Sequence, residues 1–177
     1  MVKHKPLPPL EELKEHLYLD ETSPSGLRWS KPLCSNLRPG DIAGSRMGNR
    51  GYYGVRFKYE KYYVHRIIVL MKTGVDPGIY WVDHISEKSN NHDVRVATAS
   101  ENHANRKKQE SFKGKKTSSR YKGVYWAKKA RKWCAQIKIK GVTTNLGLYT
   151  SETEAARVYN ETALLLWGEF ARLNDVE

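Results

Sequence analysis

Residues 82–102, VDHISEKSNNHDVRVATASEN, set Asp83 beside His84 and place Asn102 at the end of a Ser-Glu-Asn triplet. A carboxylate next to an imidazole is a costly core filling, because both groups need partners once they leave water. The same residue types suit phosphodiester hydrolysis. That reaction needs an activated water, charge stabilisation at phosphorus and a group on the leaving oxygen. A carboxylate and an amide oxygen are hard ligands for Mg2+ or Mn2+, and an imidazole of pKa about 6.5 is a general base near neutral pH. Asp83 and Asn102 as metal ligands, with His84 as base, form a coherent set. Neighbours on a regular strand point to opposite faces, so Asp83 and His84 can converge only at a twisted strand end.

The elements around them follow from pattern. Residues 10–18, LEELKEHLY, read as a short amphipathic helix, and SPSGLRWSKP and LRPGDIAG as turns with short strands. GYYGVRF, a turn at KYEK and YYVH form a hairpin rich in aromatic and β-branched residues. In HRIIVLMKTG, Ile67, Leu70 and Met71 have helical spacing, and Gly74 is the stop. WVDHI is a strand, 86–93 a polar loop and VRVAT a second strand, after which Ser100 caps a helix running into ENHANRKK. His65, opening HRIIV, is expected to pack. His92 and His103 flank the site in polar surroundings and are given no role.

Residues 107–120, KKQESFKGKKTSSR, are polar and basic and read as a linker between domains 1–106 and 121–177. Beyond it, YKGVYW, KWCAQIKI and VTTNLGLY are three strands, the last two joined at Lys140-Gly141. Alternation puts Trp133, Ala135, Ile137 and Ile139 on one face, and Cys134, Gln136 and Lys138 on the other. Ser151 and Glu154 fit a capping box; Ala155, Val158, Tyr159, Thr162, Ala163 and Leu166 form the helix stripe that Gly168 ends. A three-stranded antiparallel sheet packed on one helix leaves its second face for water or a partner.

Composition narrows the partner. The 177 residues carry a formal charge of +12, and 103–140 hold fourteen Lys or Arg against the single acid Glu110. Such a segment suits nucleic acid. No run approaches the roughly 18 apolar residues of a membrane span, and the N-terminus shows no apolar signal region, so a cytoplasmic, non-secreted protein is expected. Cys34 and Cys134 are isolated, which leaves neither a disulfide framework nor a structural zinc site within one chain.

Taken together, YYVHRIIVLMKTG, WVDHI, the Asn-rich loop, VRVATASEN and NHANRKK resemble the HNH endonucleases, and more closely their homing type found in phages and mobile introns. The resemblance covers roughly residues 10–106 and implies a ββα-metal fold. It implies Asp83 and Asn102 as ligands of Mg2+ or Mn2+ and His84 as general base. The family usually reads ENLRWAT before the helix; here NNHDVRVAT puts Asp93 where the middle Asn is expected, with Asn91 two residues upstream and a shorter loop. Either residue is available to brace the loop, though Asp accepts hydrogen bonds without donating them.

Residues 121–174 resemble the plant Apetala-two/ethylene-response-factor DNA-binding domain through Tyr-x-Gly-Val, Lys-Trp-x-Ala-x-Ile, Leu-Gly-x-Tyr, Glu-Ala-Ala-x-x-Tyr and the closing Leu-Asn. That family lays its sheet in the DNA major groove. The resemblance implies contacts from Lys122, Tyr125, Gln136, Lys138, Thr143 and Asn145. Trp126 either reaches DNA or caps the core. The linker lysines Lys113, Lys115 and Lys116 are expected on phosphates.

The expected protein is an α+β, two-domain, metal-dependent endonuclease acting as a monomer on double-stranded DNA in a bacterial or phage-infected cell, with no small-molecule substrate. The alternative is a non-catalytic DNA-binding or regulatory protein that retains the HNH fold.

Overall fold

Leu10, Leu13 and Leu17 recur at helical spacing, and they anchor α1 (Leu10–His16) and the start of β1 (Leu17–Leu19) in a core with Leu27, Phe57 and Ile67. The computed structural model describes residues 5–48, 51–86, 91–112 and 114–176. Strand β1 pairs antiparallel with β2 (Leu27–Trp29). Next come β3 (Ser45–Met47), β4 (Tyr52–Phe57) and β5 (Glu60–Tyr63), a three-stranded antiparallel sheet. The β4–β5 turn holds Lys58 and Tyr59 at φ 44° and 69°, the left-handed pair that a two-residue hairpin favours.

Helix α2 (Val64–Thr73) buries Val64, Ile67, Ile68 and Leu70 and stops at Gly74, which lies at φ 76° and donates its N–H to the Leu70 carbonyl. The pair β6 (Trp81–His84) and β7 (Val94–Ala97) follows. Of the polar loop expected over 86–93, residues 87–90 lie outside the described residues.

The remaining elements are α3 (Ala99–Ala104), a small hairpin of β8 (Ser111–Phe112) and β9 (Lys115–Lys116), then β10 (Val124–Ala127), β11 (Lys132–Ile139), β12 (Val142–Tyr149) and α4 (Glu152–Trp167). A 3-10 turn, Gly168–Phe170, follows α4. Strands β10, β11 and β12 form one antiparallel sheet in chain order, and Ala135, Ile137, Ala155, Tyr159 and Ala163 are buried where α4 covers it. Gly123 permits this approach. A Cβ there would lie 2.1 Å from the Tyr159 ring and 2.7 Å from the Gln136 carbonyl. Ser151 caps α4 by accepting from the Glu154 N–H at 3.4 Å.

The fold is thus mixed α+β, with small sheets and four α-helices among the described residues. The chain divides into two compact units, residues 1–98 and 99–177, so the break comes ahead of the position expected from composition. The cause is local bonding. Trp167 Nε1 donates to Ser100 Oγ at 3.2 Å, and Arg172 Nε donates to the Asn105 carbonyl at 2.8 Å. Ser100 consequently lies inside α3 and serves the indole instead of capping. The expected linker is folded too: the Thr117 N–H donates to the Glu110 carbonyl, and the buried Ser119 donates its hydroxyl to Glu152 at 2.6 Å.

Candidate active site

Strand pairing fixes the company of Asp83 and His84. Asp83 lies opposite Arg95 and His84 opposite Val94, and the Ile85 N–H donates to the Asp93 carbonyl at 3.0 Å just beyond the strand ends. Cross-strand partners share a face. Accordingly Arg95 Nη2 and Nε each reach Asp83 Oδ2 at 3.4 Å. Asp83 is only 5% exposed and His84 only 7%, so neither is a surface residue.

His84 turns to the loop. Its Nε2 lies 3.0 Å from Asn91 Oδ1, and Asn91 Nδ2 donates to the Ser25 carbonyl at 2.8 Å. A carbonyl only accepts, so the amide's NH2 must face Ser25 and its oxygen must face the imidazole. Nε2 then carries the proton, and in the neutral ring the basic lone pair belongs to Nδ1. Ser25 is a firm anchor: it is fully buried, and its hydroxyl donates to the Ala43 carbonyl at 2.8 Å. Next to it, Gly26 at φ 86° allows the close approach, since a Cβ would meet Ile68 Cδ1 at 2.7 Å and Asn91 Cβ at 3.4 Å. Lys72 on α2 secures the loop again by donating to the His92 carbonyl at 2.7 Å.

Aromatic rings surround His84. Its ring centroid lies 5.2 Å from that of His65 and 5.8 Å from that of Tyr52, and Tyr63 stacks on His65 at 5.3 Å. His65 is buried, and its Nδ1 has no hydrogen-bond partner among the described residues. Burial pushes this imidazole down to about 3, and positive charge on His84 and Arg66 acts in the same direction. His65 therefore packs as a neutral ring beside His84.

The other expected site residues are distributed as follows. Asp93 is half-buried and contributes its backbone carbonyl to the strand pair. Asn102 is half-buried on α3, in the second unit. Among the described residues, no three His, Cys, Asp or Glu side chains gather as a metal-binding group. Asp83 offers a hard carboxylate oxygen, and the Arg95 guanidinium already brings positive charge to it. Such an oxygen is of the type Mg2+ or Mn2+ takes, and a cation would compete with Arg95 for it.

In the second unit, Gln136 pairs directly with Asn145 and Lys138 with Thr143, while Tyr125 pairs with Cys134. Thr143, Asn145, Lys138 and Tyr125 are exposed and Gln136 is half-buried. A register shift between Ala135 and Gln136 keeps Asn145 opposite Gln136, with Leu146 packed against the core. Trp126 lies edge-on to Trp133 at 5.1 Å and is 37% exposed. Lys122 stands apart from these residues, with its ammonium on the Ala104 carbonyl. Lys115 and Lys116 are exposed on β9; Lys113 lies outside the described residues.

Asn91 as partner of His84 comes from the loop's seat against the Ser25 turn, and Arg95 as partner of Asp83 from the strand register. Only the Asn-Asn run of the loop marks the first of these in the sequence.

The chain is similar to an uncharacterised HNH endonuclease of Acanthamoeba polyphaga mimivirus, being 32% identical over 135 residues, which are 74% of this chain and 66% of the relative. It thus spans just under two thirds of that relative's length. No protein-family model and no solved structure matches it. The likeness to the viral protein, distant as it is, supports an HNH endonuclease.

Proposed function

We propose that the chain is a metal-dependent HNH endonuclease of the homing type that hydrolyses phosphodiester bonds in double-stranded DNA. The observation that carries this reading is the His84–Asn91–Ser25 relay, which sets one tautomer of a buried imidazole one position along the strand from a buried carboxylate. His84 Nδ1 accepts the proton of the attacking water as the new P–O bond forms. Asn91 holds the ring orientation. Asp83 is a ligand of Mg2+ or Mn2+, a role that the resemblance extends to Asn102. When bound, that ion supplies charge neutralisation at the phosphate and at the leaving oxygen. In this reading the second unit is an Apetala-two/ethylene-response-factor-like module whose Gln136, Lys138, Thr143 and Asn145 contact duplex DNA.

Incubation of supercoiled plasmid with Mg2+, and with EDTA as control, tests this directly. Nicked or linear product should form only with the metal. His84→Ala should slow cleavage by on the order of 10²–10⁴-fold, and Asp83→Ala should abolish it, with DNA affinity in EDTA unchanged for both. One observation favours a second reading, a DNA-binding protein without cleavage: the Asp83 carboxylate is buried against Arg95. Tight DNA binding with no cleavage under Mg2+ or Mn2+ would establish that reading and overturn the first.

A further inference from the structure

The turn between α2 and β6 is held firmly and yet shows apolar side chains to solvent. The Tyr80 N–H closes it by donating to the Pro77 carbonyl at 3.0 Å, with Gly78 at φ 55°. Asp76 Oδ1 accepts the Gly78 N–H at 2.8 Å. Arg66 on α2 donates to the Gly78 carbonyl at 2.6 Å and to the Tyr80 carbonyl at 3.0 Å. Small and polar residues dominate such tips. Here Ile79 occupies the tip, 82% exposed, and Tyr80 and Trp81 follow at 53% and 50%. The bonds that fix the turn run through backbone, Asp76 and Arg66 and make no use of the three apolar side chains. Single exposed apolar residues are ordinary, whereas three large ones in succession on a fixed turn mark a binding surface. Strand direction says what meets it. Trp81 and Asp83 lie two apart on β6 and leave it on the same face, about 6.6 Å apart along the strand. Across the strand pair Trp81 faces Ala97, a partner too small to cover an indole. A DNA strand advances about 3.4 Å of axis per nucleotide, so a phosphodiester at Asp83 brings nucleotides within about two steps of it onto Trp81.

We propose that Ile79, Tyr80 and Trp81 form an apolar wedge that opens a base step of duplex DNA beside the phosphodiester held at Asp83. Phosphates call for cations. An isoleucine and two aromatic rings match base faces and sugars instead, and base faces become accessible when a step is unstacked. A turn fixed in advance suits this task, because a mobile one would lose affinity to its own ordering. A second copy of the chain fits the surface less well, since each copy carries a formal charge of +12 and like charge opposes association. The inference rests on duplex DNA being the substrate of the candidate site, and it does not depend on which residues carry out cleavage.

The test uses the full chain in EDTA, so that cleavage is not read, and two duplexes of one length that differ only in a central run of mismatches. Stacking is already weakened in the mismatched duplex, so a wedge binds it more tightly. Wild type should prefer it by on the order of 10-fold, and Ile79→Ser should remove most of that preference. Trp81→Ser should act in the same direction, while Leu33→Ser, at another exposed apolar residue, should keep the wild-type ratio. Permanganate, which oxidises unstacked thymines, should mark intact duplex bound by wild type more strongly than duplex bound by Ile79→Ser. Should Trp81→Ser fail to fold, Ile79→Ser decides, because its side chain stands in solvent. A retained mismatch preference with no plasmid cleavage under Mg2+ would sink the nuclease reading and leave the wedge standing. An equal ratio in wild type and Ile79→Ser, or no affinity of wild type for either duplex, would overturn the wedge. A wild-type dimer that Ile79→Ser turns into a monomer in sedimentation, with the ratio unchanged, would assign the surface to a second copy instead.

Discussion

Replacing Asn91 by Ala should damage the protein twice. Asn91 is 1% exposed, and its amide satisfies His84 Nε2 at 3.0 Å and the Ser25 carbonyl at 2.8 Å. Truncation removes the partner of both buried groups at about 1–3 kcal/mol each, or roughly 2–6 kcal/mol of stability together. The catalytic loss has a separate origin. Without Oδ1 the imidazole is no longer held with its proton on Nε2, and the fraction with a basic Nδ1 aimed at the water falls. The cost should approach, without exceeding, the roughly 10²–10⁴-fold worth of the base itself. Asn91→Asp separates the two effects. Its carboxylate still accepts from Nε2, but it cannot donate to Ser25 and sets oxygen against oxygen there. Stability should fall while the tautomer survives. Nitrogen chemical shifts of His84 read the tautomer independently of activity, and urea unfolding reads stability. Asp93→Ala is the contrast, because Asp93 serves the hairpin through its backbone carbonyl; it should change both readouts far less. Wild-type cleavage and an unaltered His84 tautomer in Asn91→Ala, with losses in Asp93→Ala, would refute the assignment.

Two further outcomes are expected. Burial keeps His65 neutral in the folded protein down to about 3, whereas the unfolded chain protonates near 6.5. The unfolded state therefore binds more protons between those values, so the contribution is fully present above about 6.5 and is lost as pH falls toward 3. The stability difference between wild type and His65→Phe should accordingly shift by about 1 kcal/mol between pH 6.5 and 5.5 in urea titrations, and a pH-independent difference would contradict this. On the free sheet face, Gln136→Ala or Asn145→Ala should relax sequence preference at a cost of about 1–3 kcal/mol per lost base contact, read by binding selection on random duplexes. Equal preference in variant and wild type would place the base-reading surface elsewhere.

The periodic parts of the chain announce themselves, because burial on one face writes a repeat. Helix α2 follows from Ile67, Leu70, Met71 and Gly74, and the α4 cap from Ser151 and Glu154. Strand β3 has no such mark, since Ser45-Arg46-Met47 is too short to show a period and exists by pairing with β4. Alternation sends Cys134 to the open face, yet it is 1% exposed. Its register partners Tyr125 and Leu148 flank it, and its thiol reaches Asn145 Oδ1 at 3.5 Å. A face assigned by period alone says which way a side chain leaves the strand, and nothing about what its neighbours then cover.

The candidate site shows the same limit at higher stakes. Asp83 and His84 are legible as residue types, but Asn91 and Asp93 stand two apart, so alternation cannot choose between them as the brace. Register chooses. The bond from the Ile85 N–H to the Asp93 carbonyl extends the β6–β7 ladder by one step, and that step uses Asp93 as backbone. Asn91 is left within the loop, where the turn at Ser25-Gly26 comes close enough to take its amide. The turn approaches because Gly26 has no Cβ to collide with Ile68. The orientation of the proposed base therefore depends on a glycine nearly sixty positions upstream of it, a dependence that only the folded chain reveals. Gly26→Ala, strained at φ 86° and short of space, should lower stability and disturb the His84 tautomer together. A variant that folds with normal stability and leaves the His84 nitrogen shifts unmoved would show that Asn91 holds the imidazole without that turn.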